Sequence, residues 1–129
     1  MKGISAIIAT LLILLITIGL AGLAYSYISG VFTARTAVVL SIDKSSFCNT
    51  THVIAFVRND GTSQSSTVTV RIYGPSGNLF GNCTIPSIQA GDVGSCAAAP
   101  PGGSSVTTGY YTITAITTGS SARGSVYCS

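Results

Sequence analysis

Glutamate does not occur in this chain, and Asp43, Asp60 and Asp92 are its only carboxylate side chains. Charged residues make up 7% of the sequence, against roughly 25% in an average soluble domain. This composition lies well outside that of a soluble cytoplasmic enzyme. General acid–base chemistry needs paired carboxylates or a Ser/His/Asp set, and the single histidine, His52, sits in a strand pattern with no motif around it. An enzyme is therefore the weakest class, and neither a catalytic residue nor a cofactor is expected.

The cations are equally sparse. Lys2, Arg35, Lys44, Arg58, Arg71 and Arg123 give a formal net charge of +3, and they are scattered rather than gathered in a run or a helical stripe. Binding to nucleic acid needs a basic face that displaces counterions from several phosphates. None is present, which excludes that partner.

No pair among the four cysteines, Cys48, Cys83, Cys96 and Cys128, has C-x-x-C spacing. With one histidine available, a closed metal site is not expected. All four lie beyond a long apolar segment, and an even count in such a small domain points to two disulfides in an oxidising exterior. Three pairings are possible from sequence. The preferred one joins Cys83 to Cys96 across a local loop and Cys48 to Cys128, tying an early strand to the last.

What the chain does have is a leading stretch without charge. From Gly3 to Ala34 no residue is ionisable at neutral pH, and Ile4 to Phe32 reads ISAIIATLLILLITIGLAGLAYSYISGVF. About 20 apolar residues cross a bilayer. A helix from Ile4 to Ala34 would run roughly 46 Å, against about 30 Å of hydrocarbon. The surplus is either a juxtamembrane stalk or a surface for packing against other helices. Ala6, Ala9, Gly19, Ala21, Gly22 and Ala24 interrupt the Leu and Ile surface and allow close approach of a neighbour. Thr10 and Thr17, seven apart, share a face and can bond either to their own helix carbonyls or across to another helix. Tyr25 and Tyr27 suit an interfacial belt or the rim of a bundle.

After Arg35 the pattern becomes extended. Thr36 to Asp43 reads as a Val-rich strand, and His52 to Arg58 is apolar on both faces, as in a central strand. Asn59, Asp60 and Gly61 read as a turn. Val68, Val70 and Ile72 alternate with Thr67, Thr69 and Arg71 before the turn Gly74 to Asn78. Leu79 to Ile85, Val93 to Cys96, Tyr110 to Thr117 and Ala122 to Cys128 complete about seven strands, the pattern of an Ig-like antiparallel β-sandwich. Ala97 to Thr108 reads as a mobile surface loop. Sequons at Asn49 and Asn82 are glycosylation candidates. Tyr73, Tyr110, Tyr111 and Tyr127 are read as packing residues ahead of adhesive contacts. The fold class expected is α+β: a leader at 1–3, a hydrophobic helix at 4–35 and a sandwich at 36–129.

The order Lys2-Gly3, then Ile4-Ser5, then a long uncharged helix and a β-domain resembles archaeal type IV pilins and, more distantly, archaellins. An ordinary secretory signal would place its cleavage site after the apolar stretch. The resemblance covers the whole architecture, and the first 32 or so residues carry its specific part. It implies a prepilin peptidase cut between Gly3 and Ile4. Removing Lys2 takes away the cytosolic charge that resists extraction of the helix from lipid. An assembly ATPase and a membrane platform protein are implied as biogenesis partners, with a homopolymeric filament outside the cell as the product. Ile4, Ala6, Ile8, Ala9, Leu12, Leu15, Gly19 and Gly22 are the residues expected to pack in its core. Bacterial pilins carry glutamate at the fifth mature position, where this chain has Ile8, so the likeness is to the archaeal branch. The competing readings are an archaellin of a motility filament and a monomeric, single-pass Ig-like adhesion domain.

Overall fold

The computed structural model describes residues 2–129, and of Lys2, Ala34 and Arg35 the backbone alone. Met1 and the side chain of Lys2, both in the expected leader, lie outside the described residues. The chain divides into two compact units, Met1–Arg35 and Thr36–Ser129. Helix α1 spans Lys2–Thr36. With no proline and a run of Leu, Ile and Ala, nothing in this sequence interrupts the backbone ladder.

The second unit holds eight strands: β1 (Leu40–Ile42), β2 (Phe47–Cys48), β3 (Val53–Asn59), β4 (Val68–Tyr73), β5 (Leu79–Ile85), β6 (Val93–Ala98), β7 (Gly109–Thr117) and β8 (Ser120–Cys128). All pairings are antiparallel. In the first sheet β3 is central, with β6 along one edge and β1 and β2 sharing the other. The second sheet runs β5-β4-β7-β8. Alternation decides which side chains face inward. Val53, Ala55 and Val57 of β3 meet Val68, Val70 and Ile72 of β4 and Tyr111, Ile113 and Ala115 of β7 in one buried cluster. This is the Ig-like sandwich that the alternating pattern implies.

Four details differ from the sequence reading. Thr36 to Asp43 is not one strand: α1 continues through Thr36, and only Leu40–Ile42 joins the sheet. The intervening backbone is taken by a loop, since Asp60 N–H donates to Val39 O (2.7 Å) and Ser63 N–H to Ala37 O (2.7 Å). Gly61 permits this approach, because a Cβ there would stand 2.5 Å from Ala37 O and 2.8 Å from Val38 Cα. Both obstacles are backbone atoms, and no rotamer change could relieve the clash.

Strand β2 is an eighth strand that the sequence reading omitted. It continues the line of β1 after the break Asp43 to Ser46, where Ser46 Oγ accepts from Phe56 N–H (3.1 Å) and donates to Asp43 O (2.8 Å). The hydroxyl thus bridges the gap in the ladder. Asn59, read as part of a turn, is the buried last residue of β3. Its Oδ1 accepts from Gly61 N–H (3.0 Å) and Val39 N–H (3.4 Å), and its Nδ2 donates to Ser63 O (2.8 Å) and Ile88 O (3.1 Å). One side chain therefore satisfies four backbone groups in three separate segments.

The segment Ala97 to Thr108, expected to be mobile, gives its first two residues to β6 and is pinned in its second half. Val106 N–H donates to Thr50 O (2.9 Å). Tyr111, buried in β7, turns its hydroxyl back to Thr107, accepting from the amide (3.0 Å) and donating to the carbonyl (3.1 Å). A tyrosine hydroxyl folded back onto upstream backbone is a known device of Ig-like sandwiches.

Disulfides join Cys48 to Cys128 and Cys83 to Cys96. The first links β2 to β8 and the second β5 to β6, so each crosses between the sheets, at opposite edges of the sandwich. By chain entropy alone the closed loops stabilise by about 4.5 and about 3 kcal/mol respectively.

Candidate functional site

Helix α1 presents a long exposed apolar surface. Gly3–Thr33 is long and apolar enough to cross a membrane, and none of it is buried. Ile4, Ile8, Leu12 and Leu15 expose 59, 52, 53 and 66% of their surface. The hydroxyls of Thr10 and Thr17 donate to Ile7 O and Leu14 O, both at 2.8 Å. Such back-bonding leaves no unsatisfied donor facing an apolar neighbour.

Helical geometry sorts the expected packing residues. At about 100° per residue, Ile4, Ile8, Leu12, Leu15, Gly19 and Gly22 fall within about 80° of the circumference. Ser26, Ser29 and Thr33 continue this seam, which is bulky up to Leu15 and small from Gly19 onward. Ala6 and Ala9 lie off it. Ala6 belongs to a second seam with Gly3, Thr10, Thr17, Ala21 and Ala24, confined to about 60° on the opposite side. Along that seam no side chain up to Ala24 is larger than threonine. Sequence reading treated the small residues singly and missed this arrangement, although the recurrent spacings of three, four and seven carry it. Around Gly3, Gly19, Gly22 and Gly30 the space where a Cβ would stand is open.

A helix with one close-packing face serves a two-fold dimer, in which the same face meets itself. Two different seams on opposed sides let each helix lie between two neighbours, the heterologous arrangement that extends into a filament when its rotation does not close a ring. Gly3 and Ile4, the residues of the expected cut, are in the first turns of α1, and both are exposed.

No protein-family model matches the chain, and no curated protein sequence does. Among solved structures, the fold is similar to the archaellum periplasmic stator protein FlaG from Sulfolobus acidocaldarius, at 22% identity and a TM-score of 0.54, covering 69% of this chain and 99% of that one. The complex of FlaF and FlaG from the same organism matches at 22% identity and a TM-score of 0.53, over 67% of this chain and 87% of that chain. What is shared is the fold.

The remaining candidates are dispersed over the sandwich. Asn49, between β2 and β3, is exposed, and its Oδ1 accepts from Thr50 N–H (2.6 Å). Asn82 is exposed within β5, next to the bridged Cys83. His52 is exposed and its Nδ1 lies 2.7 Å from Thr51 Oγ1. The carboxylates are separate as well. Asp60 pairs with Arg58 (2.7 Å) and accepts from Ser41 Oγ (2.6 Å). Asp43 accepts from Ser45 Oγ (2.6 Å) and Ser45 N–H (2.8 Å). The Ser45 hydroxyl first, then its amide, hold the Asp43 carboxyl below its ordinary value. Of the four tyrosines in the sandwich, Tyr111 is core, Tyr73 is half-buried, and Tyr110 and Tyr127 are exposed.

Proposed function

We propose that this chain is the structural, non-catalytic subunit of an extracellular archaeal filament of the type IV pilin kind, polymerising through α1 and used in adhesion. The observation that carries this reading is the pair of opposed seams on a helix that exceeds the hydrocarbon thickness by about 15 Å. Before assembly the helix spans the membrane. After a peptidase cut between Gly3 and Ile4, the ATPase and platform protein lift it among identical helices. Apolar surface leaves lipid for an equally apolar core, and hydrophobic transfer contributes little. Close dispersion contacts along the seams must then decide assembly.

The sandwich forms the outer sheath under this reading. Its charge is low, and hydroxyl-bearing faces such as Thr67, Thr69, Thr112 and Thr114 limit repulsion between crowded copies. Asn49 and Asn82 are both accessible as glycan acceptors.

A second reading is favoured by the likeness to FlaG, a periplasmic stator protein of the archaellum. Here α1 stays in the bilayer and the sandwich works as an anchored part of motility machinery. Detergent extraction and sedimentation separate the two. A filament shears from cells and sediments as a polymer whose chains begin at Ile4 by mass spectrometry, whereas an anchored part dissolves as single chains. Replacing Gly3 with a large residue is expected to block maturation, and normal filaments from that variant would refute the proposed cut.

A further inference from the structure

The outer face of the second sheet carries an uneven charge. Arg71 and Arg123 are the only charged residues of β4, β5, β7 and β8. The sheet register sets them in one row: Arg71 opposite Thr114 on one side and Asn82 on the other, and Thr114 opposite Arg123. With one strand between them, their backbones stand roughly 10 Å apart. Both arginines are exposed. Among the described residues neither side chain has an ion pair or hydrogen bond, whereas Arg58 is paired with Asp60.

The next rows add hydroxyls and aromatic rings. Thr112 lies between Tyr73 and Ser125. Tyr110 is opposite Tyr127, with ring centroids 4.9 Å apart. Tyr110 and Tyr127 expose 68 and 55% of their surface, although nothing in the sandwich core requires aromatic rings there. A cleft of about 620 Å³ is lined by Tyr73, Pro75, Tyr110, Thr112, Thr114 and Arg123.

We infer that this face binds an acidic polysaccharide, one whose sugars carry carboxylates. A pyranose offers an apolar face for the exposed rings of Tyr110 and Tyr127. Its hydroxyls can bond the threonine and serine rows. A uronate carboxylate suits the planar fork of a guanidinium, which makes two parallel charge-assisted bonds. The absence of carboxylates from all four strands removes the repulsion that would otherwise turn such a ligand away.

A second copy of the chain fits less well. Asp60 is committed to Arg58 and Ser41, and Asp43 to Ser45. Among the described residues that leaves only Asp92 to offer to two guanidiniums. The inference does not require α1 to polymerise. Its failure would leave the filament reading standing, and failure of the filament reading would leave this surface as it is.

The test uses the full chain in detergent micelles, with polygalacturonate as the probe. Dextran serves as the neutral polysaccharide and poly-glutamate as a carboxylated polymer without sugar rings. Polygalacturonate is expected to bind in preference to both. The double variant Arg71→Gln, Arg123→Gln should weaken it by about tenfold or more, and Tyr110→Ser should weaken it several-fold. Lys44→Gln, outside this sheet, should leave it unchanged. Unchanged melting temperatures would establish that the exposed substitutions leave the fold intact. Equal binding of poly-glutamate, equal binding of dextran, no binding of polygalacturonate, or an equal loss with Lys44→Gln would each overturn the assignment. So would arginine variants that bind the polysaccharide normally but lose self-association, which would make the face a contact between copies.

Discussion

Along α1 every described apolar side chain from Ile4 to Phe32 is exposed, whereas Val53, Val57, Val68, Val70, Ile72 and Ile113 of the sandwich have no exposed surface. The two units also differ in how they satisfy polar groups. Among the described residues of α1 only the terminal Thr36 has a backbone bond to another segment, its carbonyl accepting from Thr62 N–H, and Thr10 and Thr17 return their hydroxyls to the helix. Within the sandwich, polar groups are shared between distant segments, as Asn59 shows, and two disulfides close the edges. One unit carries its own core. The other presents an apolar surface that must be covered by lipid or by other helices, because water would leave it unpaid.

The sharpest break in this comparison is a charge placed on α1. In Leu15→Asp an unpaired ion would be buried in the helical core at a cost of several kcal/mol per subunit. Filaments should disappear while the thermal unfolding of the sandwich stays unchanged. Abundant wild-type-like fibres from this variant would mean that the Leu15 face is not buried by assembly.

The complementary experiment acts on the sandwich alone. Replacing Cys48 and Cys128 together with serine should lower its stability by about 4.5 kcal/mol, and replacing Cys83 and Cys96 by about 3 kcal/mol. Urea unfolding followed by tyrosine fluorescence gives both values. Helix content in detergent should not follow either loss.

Asn59→Leu comes next, at about 3 kcal/mol. Leucine fills similar space but orphans the amides of Val39 and Gly61 and the carbonyl of Ser63, and it leaves the Ile88 carbonyl with Ser65 N–H as its remaining partner. A stability equal to wild type in the same unfolding assay would show that water takes over these bonds.

The smallest effect concerns Asp43, whose carboxyl is held below its ordinary value mainly by the Ser45 hydroxyl. A lowered folded pKa contributes stability above the unfolded value, and the contribution is lost as pH falls through the folded one. Ser45→Ala should therefore move the Asp43 titration, followed by NMR, upward toward the usual carboxylate range. An unmoved titration would assign the shift to the Ser45 amide and Arg58.

How far each unit could be read from sequence follows from the same contrast. The helix is legible because an uncharged stretch from Gly3 to Ala34 leaves few alternatives, and β4 because Val68, Val70 and Ile72 alternate cleanly. Strand β2 escapes any periodicity argument, since two residues have no period. Ala37 and Val39 fall in a strand-like run, but their carbonyls accept from Ser63 and Asp60 in the loop after β3, too far along the chain for local pattern to register. Asn59 is hidden by its neighbours: Asn-Asp-Gly reads as a turn, and only the fold shows that its amide faces inward. Cysteine spacing left three pairings open, and what selects between them is the sandwich geometry, which brings β2 to β8 and β5 to β6. The seams of α1 were within reach of the sequence, had spacing been followed around the helix rather than along it.

Cryo-electron microscopy of material sheared from cells tests the central claim most directly. Rods are expected with a lipid-free core in which copies of α1 pack at interaxial distances of about 8–10 Å, surrounded by the sandwiches. Sheared supernatant devoid of rods, with the protein recovered only as single chains embedded in the membrane fraction, would contradict it.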